Sequence, residues 1–202
     1  HNDLKLENVM VGDFGDVVVM DWGCATLNPK VQTNLPFGVL HPKRITRPFG
    51  SPSYMPPELA RGDGDQVGPW SDTYLLGAML YEIVEGRPPR KGGTLGEVIE
   101  LACNGVIDDF KYCQSPTLQQ ICSRALSTSI HERFQTPEQF EEVLRGYFRA
   151  EQSESLLTAA KKLLLSYDEF NLTESHSSLV TLIEVVSMTH QANQLWPSEA
   201  AR

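Results

Sequence analysis

The sequence predicts a mainly α-helical chain with one short β-hairpin near its start and a helical extension at its end. Three observations carry that expectation. Two β-branched runs, Val9–Val11 and Val17–Met20, flank a turn rich in Gly and Asp. From Ser71 onward, helix start and stop signals recur: Ser or Thr ahead of an apolar run, Pro at a first helical position, Gly after a last one. Within residues 151–202, Leu156, Leu157, Ala160, Leu163 and Leu164 keep helical spacing.

In order, the hairpin turn is Gly12-Asp13-Phe14-Gly15-Asp16, because Gly and Asp supply the backbone angles such turns need. Cys24 to Phe49 has no sustained period and holds Pro29, Pro36, Pro42 and Pro48, which predicts a loop. Loops of that length are usually functional or disordered. Ser71 to Val84 predicts a strong helix, with Ser71 as a cap and Leu75, Leu76, Met79, Leu80 and Ile83 on its apolar face. Gly86-Arg87-Pro88-Pro89 ends it. Thr94-x-x-Glu97 is a capping box for a helix that ends near Asn104-Gly105. Ser115-Pro116 opens the next, with Leu118, Ile121, Cys122, Ala125 and Leu126 inward. Thr136-Pro137-Glu138-Gln139 opens a third. A last helix runs through Leu179, Leu182, Val185, Val186 and Met188 to about Leu195, where Trp196-Pro197 stops it.

The chain has 202 residues, enough for one to two domains, and its 41% apolar share is enough for a packed core. A net charge of −9 argues against a nucleic-acid-binding surface, which is normally basic. It leaves a nucleotide site open, since phosphate binding is local. The four cysteines, Cys24, Cys103, Cys113 and Cys122, show neither a C-x-x-C pair nor zinc-like spacing. They read as reduced thiols of a cytoplasmic protein. There is no signal peptide at the start, and no apolar run approaches the roughly 18 residues of a membrane span.

The first residues carry the chemistry. His1-Asn2-Asp3-Leu4-Lys5-Leu6-Glu7-Asn8 precedes the hairpin, and Asp21-Trp22-Gly23 follows it. This pair resembles the catalytic loop H-R-D-L-x-x-x-N and the metal motif D-F-G of the protein kinase family, specifically its bacterial eukaryotic-like Ser/Thr members. Asp13-Phe14-Gly15 spells D-F-G literally, but it comes directly after the first strand, leaving no room for a returning one. A third block, Gly50-Ser51-Pro52-Ser53-Tyr54-Met55-Pro56-Pro57-Glu58, is similar to the family's G-T-x-x-Y-x-A-P-E. A fourth, Asp72 with Gly77, matches D-x-x-x-x-G of its central helix.

The resemblance covers residues 1–148 as a C-terminal lobe and leaves 149–202 as a helical extension. It implies that Asp3 is the catalytic base, that Lys5 steadies the γ-phosphoryl of ATP, and that Asn8 and Asp21 hold Mg²⁺. It implies that Gly23 lets the metal loop turn, and that Ser51 supplies the hydroxyl that bonds to Asp3 and Lys5. It implies further that Arg133 pairs with Glu58. From position alone Asp72 is a first-turn acid favoured by the helix dipole; the resemblance implies that it anchors the catalytic loop. Cys24, beside the metal loop, reads as a small buried hydrophobe rather than a reactive thiol.

Departures from the family pattern are Asn2 for Arg, Leu6 for Pro, Trp22 for Phe and Pro56 for Ala. None removes a reacting group. In relatives with Arg at position 2, the guanidinium pairs with a phosphate on the activation segment, which here runs from Asp21 to Glu58. Asn2 cannot form that clamp. Thr33, Thr46, Ser51 and Ser53 are candidate phosphosites, and Lys43, Arg44 and Arg47 a substitute cradle.

A chain that opens on the catalytic loop without Met is expected to be a piece of a longer kinase, inactive without its N-terminal lobe. The expected partners are ATP and a protein substrate. The extension ends on Leu195-Trp196-Pro197-Ser198-Glu199-Ala200-Ala201, similar to the close of one tetratricopeptide-like unit. One unit cannot bury its own face. Either more repeats follow or the tail packs on the lobe, and its surface suits a protein partner. The competing expectation is a pseudokinase or scaffold that displays the tail.

Overall fold

A computed structural model describes residues 1–28, 39–169 and 175–195. Pro29, Thr33, Pro36, the stop at Trp196-Pro197 and the tetratricopeptide-like ending lie outside the described residues. The chain divides into two compact units, His1–Glu141 and Glu142–Arg202.

In the first unit a 3₁₀ turn, Leu6–Asn8, leads into the hairpin of β1 (Val9–Val11) and β2 (Val17–Val19). The strands pair antiparallel, with Val9 opposite Val19 and Val11 opposite Val17. Asp13, Phe14 and Gly15 therefore lie in the turn, where the Gly12 N–H bonds to Asp16 and the Gly15 N–H to Gly12. Gly15 sits at φ +82° and Phe14 is wholly exposed. Strand β2 ends one residue earlier than predicted because Met20 leaves the ladder and donates its N–H to the Asn8 carbonyl.

After Asp21 the chain makes a 3₁₀ turn (Trp22–Cys24), a bridge between Thr26 and Leu40, and a second 3₁₀ turn (Pro42–Arg44). Helix α1 (Pro57–Arg61) then buries Leu59 and Ala60 against α3 (Leu95–Cys103). Ile45, Met55, Val67 and Ala102 complete that cluster.

Helix α2 (Pro69–Glu85) is the central element. It begins earlier than the sequence predicts. Gly68 precedes its first residue, and Ser71 lies one turn in, its hydroxyl accepting the Gly68 N–H at 3.3 Å. Its deepest residues, Tyr74, Leu75, Ala78 and Tyr81, are all 0% exposed, whereas Ile83 is 65% exposed. The apolar stripe misleads here because α2 is covered on most of its circumference, and aromatic, small and hydroxyl side chains fill the interior as well as Leu. Helix α4 (Pro116–Ala125) packs on it through Leu118, Ile121, Cys122 and Ala125. The approach is so close that a Cβ on Gly77 would stand 2.5 Å from the Cβ of Ala125.

Thr94 and Glu97 cap α3 reciprocally, and Ser115 caps α4 through the Leu118 N–H. Helix α5 spans Pro137–Glu169. In the second unit, Ala160 of α5 and Val185 and Ala192 of α6 (Ser175–Leu195) are buried, and the Ser153 hydroxyl donates to the Ala192 carbonyl at 3.1 Å. Leu157, Leu164, Leu165, Ile183 and Val186 are exposed. No helix among the described residues is long and apolar enough to cross a membrane.

Candidate active site

The site begins with two residues held by a third. The carboxylate of Asp72, in the first turn of α2, accepts the backbone nitrogens of His1 and Asn2, both at 2.8 Å. This fixes the start of the loop to the central helix. Asn2 takes the left-handed conformation, φ +65°, which Asn tolerates better than most residues. The loop is thereby turned so that the Asn2 amide reaches the Cys24 carbonyl at 3.0 Å and the Thr26 hydroxyl at 2.9 Å. The buried Asn2 thus ties the loop to the start of the segment after Asp21.

Asp3 and Asn8 are buried, 8% and 7% exposed. The Asn8 amide donates to the Asp3 carbonyl at 2.8 Å. Its Oδ1 accepts no hydrogen bond from the described residues. Ser51 comes to the same place from the far end of the segment. Its backbone N–H donates to Asp3 Oδ1 at 2.8 Å, and Lys5 Nζ donates to its hydroxyl at 3.0 Å. Lys5 Nζ also lies 3.9 Å from Asp3 Oδ2. Gly50 allows this approach: it sits at φ +101°, and a Cβ there would stand 2.8 Å from the Asn2 carbonyl oxygen. Asp3, Lys5 and Ser51 are therefore one cluster.

Asp21 arrives by the hairpin. The Met20 N–H bonds to the Asn8 carbonyl at 2.8 Å, and the Met20 carbonyl meets His1 Nε2 at 2.9 Å. Asp21 is exposed, in the left-handed conformation at φ +57°, with Oδ1 accepting the Gly23 N–H at 3.4 Å. Burial, then the negative charges of Asp3 and Asp21, push the Cys24 thiol above its ordinary range. Both carboxylates therefore act on one neighbouring group, and Cys24 is a poor nucleophile.

Around this cluster stand the supports. Arg133 and Glu58, each 1% exposed, form a two-pronged ion pair at 2.7 and 2.9 Å. Ser71 adds a bond to Glu58 Oε1 at 2.8 Å. The Tyr54 hydroxyl donates to Glu82 at 2.7 Å. Burial first, then the bond and charge of Glu82, raise that phenol above its ordinary range. The tether by Asn2 and the Tyr54–Glu82 bond carry no motif of their own; the only signal for Asn2 is that it stands where Arg is usual.

Among the described residues no group of three or more His, Cys, Asp or Glu side chains could hold a metal ion by itself. Asn8 and Asp21 instead offer two hard oxygen donors. Such a partial set suits Mg²⁺, which keeps waters and takes its remaining ligands from phosphates.

A sequence profile described as protein kinase domain matches residues 1–162. The chain belongs to the protein kinase family. This kinase domain is 29% identical to the serine/threonine-protein kinase PknD of Protochlamydia amoebophila over 73% of the chain and 16% of that protein. It is 26% identical to the serine/threonine-protein kinase STE20 of Eremothecium gossypii over 96% of the chain and 17% of that protein. It is 33% identical to the serine/threonine-protein kinase pak-1 of Caenorhabditis elegans over 66% of the chain and 22% of that protein. The kinase chain thus spans only about a sixth to a fifth of the length of these relatives.

Proposed function

We propose that this chain carries the catalytic and metal-binding residues of a Ser/Thr protein kinase, which transfers the γ-phosphoryl of ATP to a protein hydroxyl. The observation that carries the reading is the cluster of Asp3, Lys5 and Ser51, within 2.8 to 3.9 Å of one another. Asp3 accepts the proton of the attacking Ser or Thr hydroxyl. That oxygen bonds to the γ-phosphorus as the bond to the β–γ bridging oxygen breaks. Lys5 lies beside Asp3 and steadies the transferring phosphoryl. Ser51 N–H orients the Asp3 carboxylate, leaving Oδ2 for the proton. Asn8 and Asp21 would hold Mg²⁺, which when bound would neutralise charge on the phosphates. Positioning and electrostatics supply nearly all of such catalysis. The turn after Ser51 borders Asp3, so a substrate peptide that reaches Asp3 passes over residues 52–55.

We read residues 1–148 as the lobe that does this work. The extension 149–202, with exposed Leu165, Ile183 and Val186, offers a surface to a protein partner. Within this chain there is neither a Gly-rich phosphate loop nor an Ala-x-Lys strand, so residues 1–202 alone are expected to transfer nothing.

The test is phosphoryl transfer from Mg-ATP to a generic Ser/Thr substrate by the full-length protein. Asp3→Ala abolishes turnover. Asp21→Asn lowers it by roughly a thousandfold or more, while Asp13→Asn leaves it nearly unchanged. Reversed effects at Asp21 and Asp13 would show the metal residues to be wrongly assigned. A full-length protein without any transfer would favour the scaffold reading.

A further inference from the structure

Among the described residues, Arg90 and Arg133 are the two largest fully buried side chains, each 1% exposed. Arg133 has Glu58 to neutralise it. Arg90 has no carboxylate among the described residues. Its Nε donates to the Val106 carbonyl at 2.8 Å, and its Nη1 to the Met55 carbonyl at 2.8 Å and the Pro52 carbonyl at 3.4 Å. Its Nη2 donates to the Tyr74 hydroxyl. A guanidinium keeps its charge throughout the range in which proteins fold, so burying it against neutral acceptors alone is costly. An apolar side chain of equal size would fill the same space without that cost. What it could not do is hold carbonyls in place.

Two of the held carbonyls, those of Pro52 and Met55, bracket Ser53 and Tyr54. The other acceptors are the Tyr74 hydroxyl on α2 and the Val106 carbonyl on the chain after α3. The same turn is tied at its start to Asp3 through Ser51. Pro52 and Ser53 remain half-exposed beside it. We infer that Arg90 is a positioning residue that sets the backbone of residues 52–55 and thereby the grip on the protein substrate, without touching the nucleotide. This inference rests on the kinase reading of the chain.

The test uses the full-length protein with Arg90→Met and Arg90→Lys. Steady-state rates are measured with peptide and ATP varied separately, and amide exchange is followed at Tyr54 and Met55. Both of those amides donate to the Ser51 carbonyl, at 3.0 and 2.9 Å. Arg90→Met is expected to raise KM for the peptide about tenfold or more, with KM for ATP held within about twofold. Exchange at the two amides speeds up. Arg90→Lys, which keeps a cation but loses the planar fork, falls between, and decides the matter if Arg90→Met does not fold. An unchanged peptide KM, equal losses for both substrates, or unaltered exchange would overturn the inference. If the unsubstituted protein transfers no phosphoryl, the kinase reading fails, and the exchange result alone decides whether Arg90 holds the turn.

Discussion

Asn2 shows how much one side chain can change a regulatory expectation. Its amide bonds directly to Cys24 and Thr26, so the start of the activation segment is tethered by neutral hydrogen bonds. Beside it lies a cavity of about 150 Å³ lined by His1, Asn2, Thr26, Leu27, Asn28, Val67, Gly68, Pro69 and Asp72. Among the described residues that lining contains no Lys or Arg, and it contains a carboxylate. Those residues offer a phosphate no cationic clamp. Of the substitute cations, Lys43 already lies 3.7 Å from Asp65. On the proposed kinase reading, the full-length protein is expected to keep its phosphoryl transfer, within about tenfold or roughly 1.4 kcal/mol of barrier, after phosphatase treatment and in Thr33→Ala and Thr46→Ala variants. A larger loss on removal of a loop phosphate would refute the idea. That Asp3, Lys5 and Asn8 lie together was legible because they belong to one short motif. The Asn2 tether was not, since its partners are a carbonyl and a hydroxyl that any residue or many could supply.

Among the elements, the C-terminal end of α2 is held in an unusual way. Its last residue, Glu85, is buried, and a carboxylate there opposes the helix dipole. Three backbone N–H groups compensate, from Lys111 at 2.9 Å, Tyr112 at 3.0 Å and Cys113 at 2.9 Å. Burial works to raise the Glu85 pKa, but the N–H donors of Cys113, Lys111 and Tyr112, with Arg87, outweigh it, and the net shift is downward from 4.5. A carboxyl depressed in the folded state contributes stability above its unfolded value and loses it as pH falls through the folded one. The stability gap between the natural chain and Glu85→Gln is thus expected to be constant above the ordinary value of 4.5 and to narrow on further acidification. Denaturant melts across that range measure it, and a gap that persists to about pH 2 would count against the assignment. Glu85 reads in the sequence as one more polar residue before a helix stop, because its partners are backbone groups. Helix α5 was partly legible for a similar reason. Its opening Thr136-Pro137 is a strong signal, but nothing marks an end after Phe148, and between Pro137 and Glu169 the only breaker is Gly146.

At the scale of the molecule, four motif blocks in order made the family and its mainly helical fold legible in the sequence. Contacts join these blocks: the catalytic loop to Asp72, Ser51 to Asp3 and the His1 ring to Trp22, while Glu58 reaches outside them to Arg133. The last pair closes the unit and should be its most sensitive tie. Removing one partner, as in Arg133→Met or Glu58→Gln, is expected to cost about 3–5 kcal/mol, because a charge is left buried alone. Joint replacement by Glu58→Leu and Arg133→Met should restore part of that. Equilibrium unfolding decides it, and a double variant no more stable than the worse single one would show that the loss was not one of charge. The same pair has a consequence for how the protein is made. Glu58 and Arg133 stand 75 residues apart. At about 5–20 residues per second, Arg133 leaves the peptidyl-transferase centre roughly 4–15 s after Glu58. Throughout that interval Glu58 lacks its ion-pair partner, so α1 cannot settle into its final seat until α4 has already been synthesised.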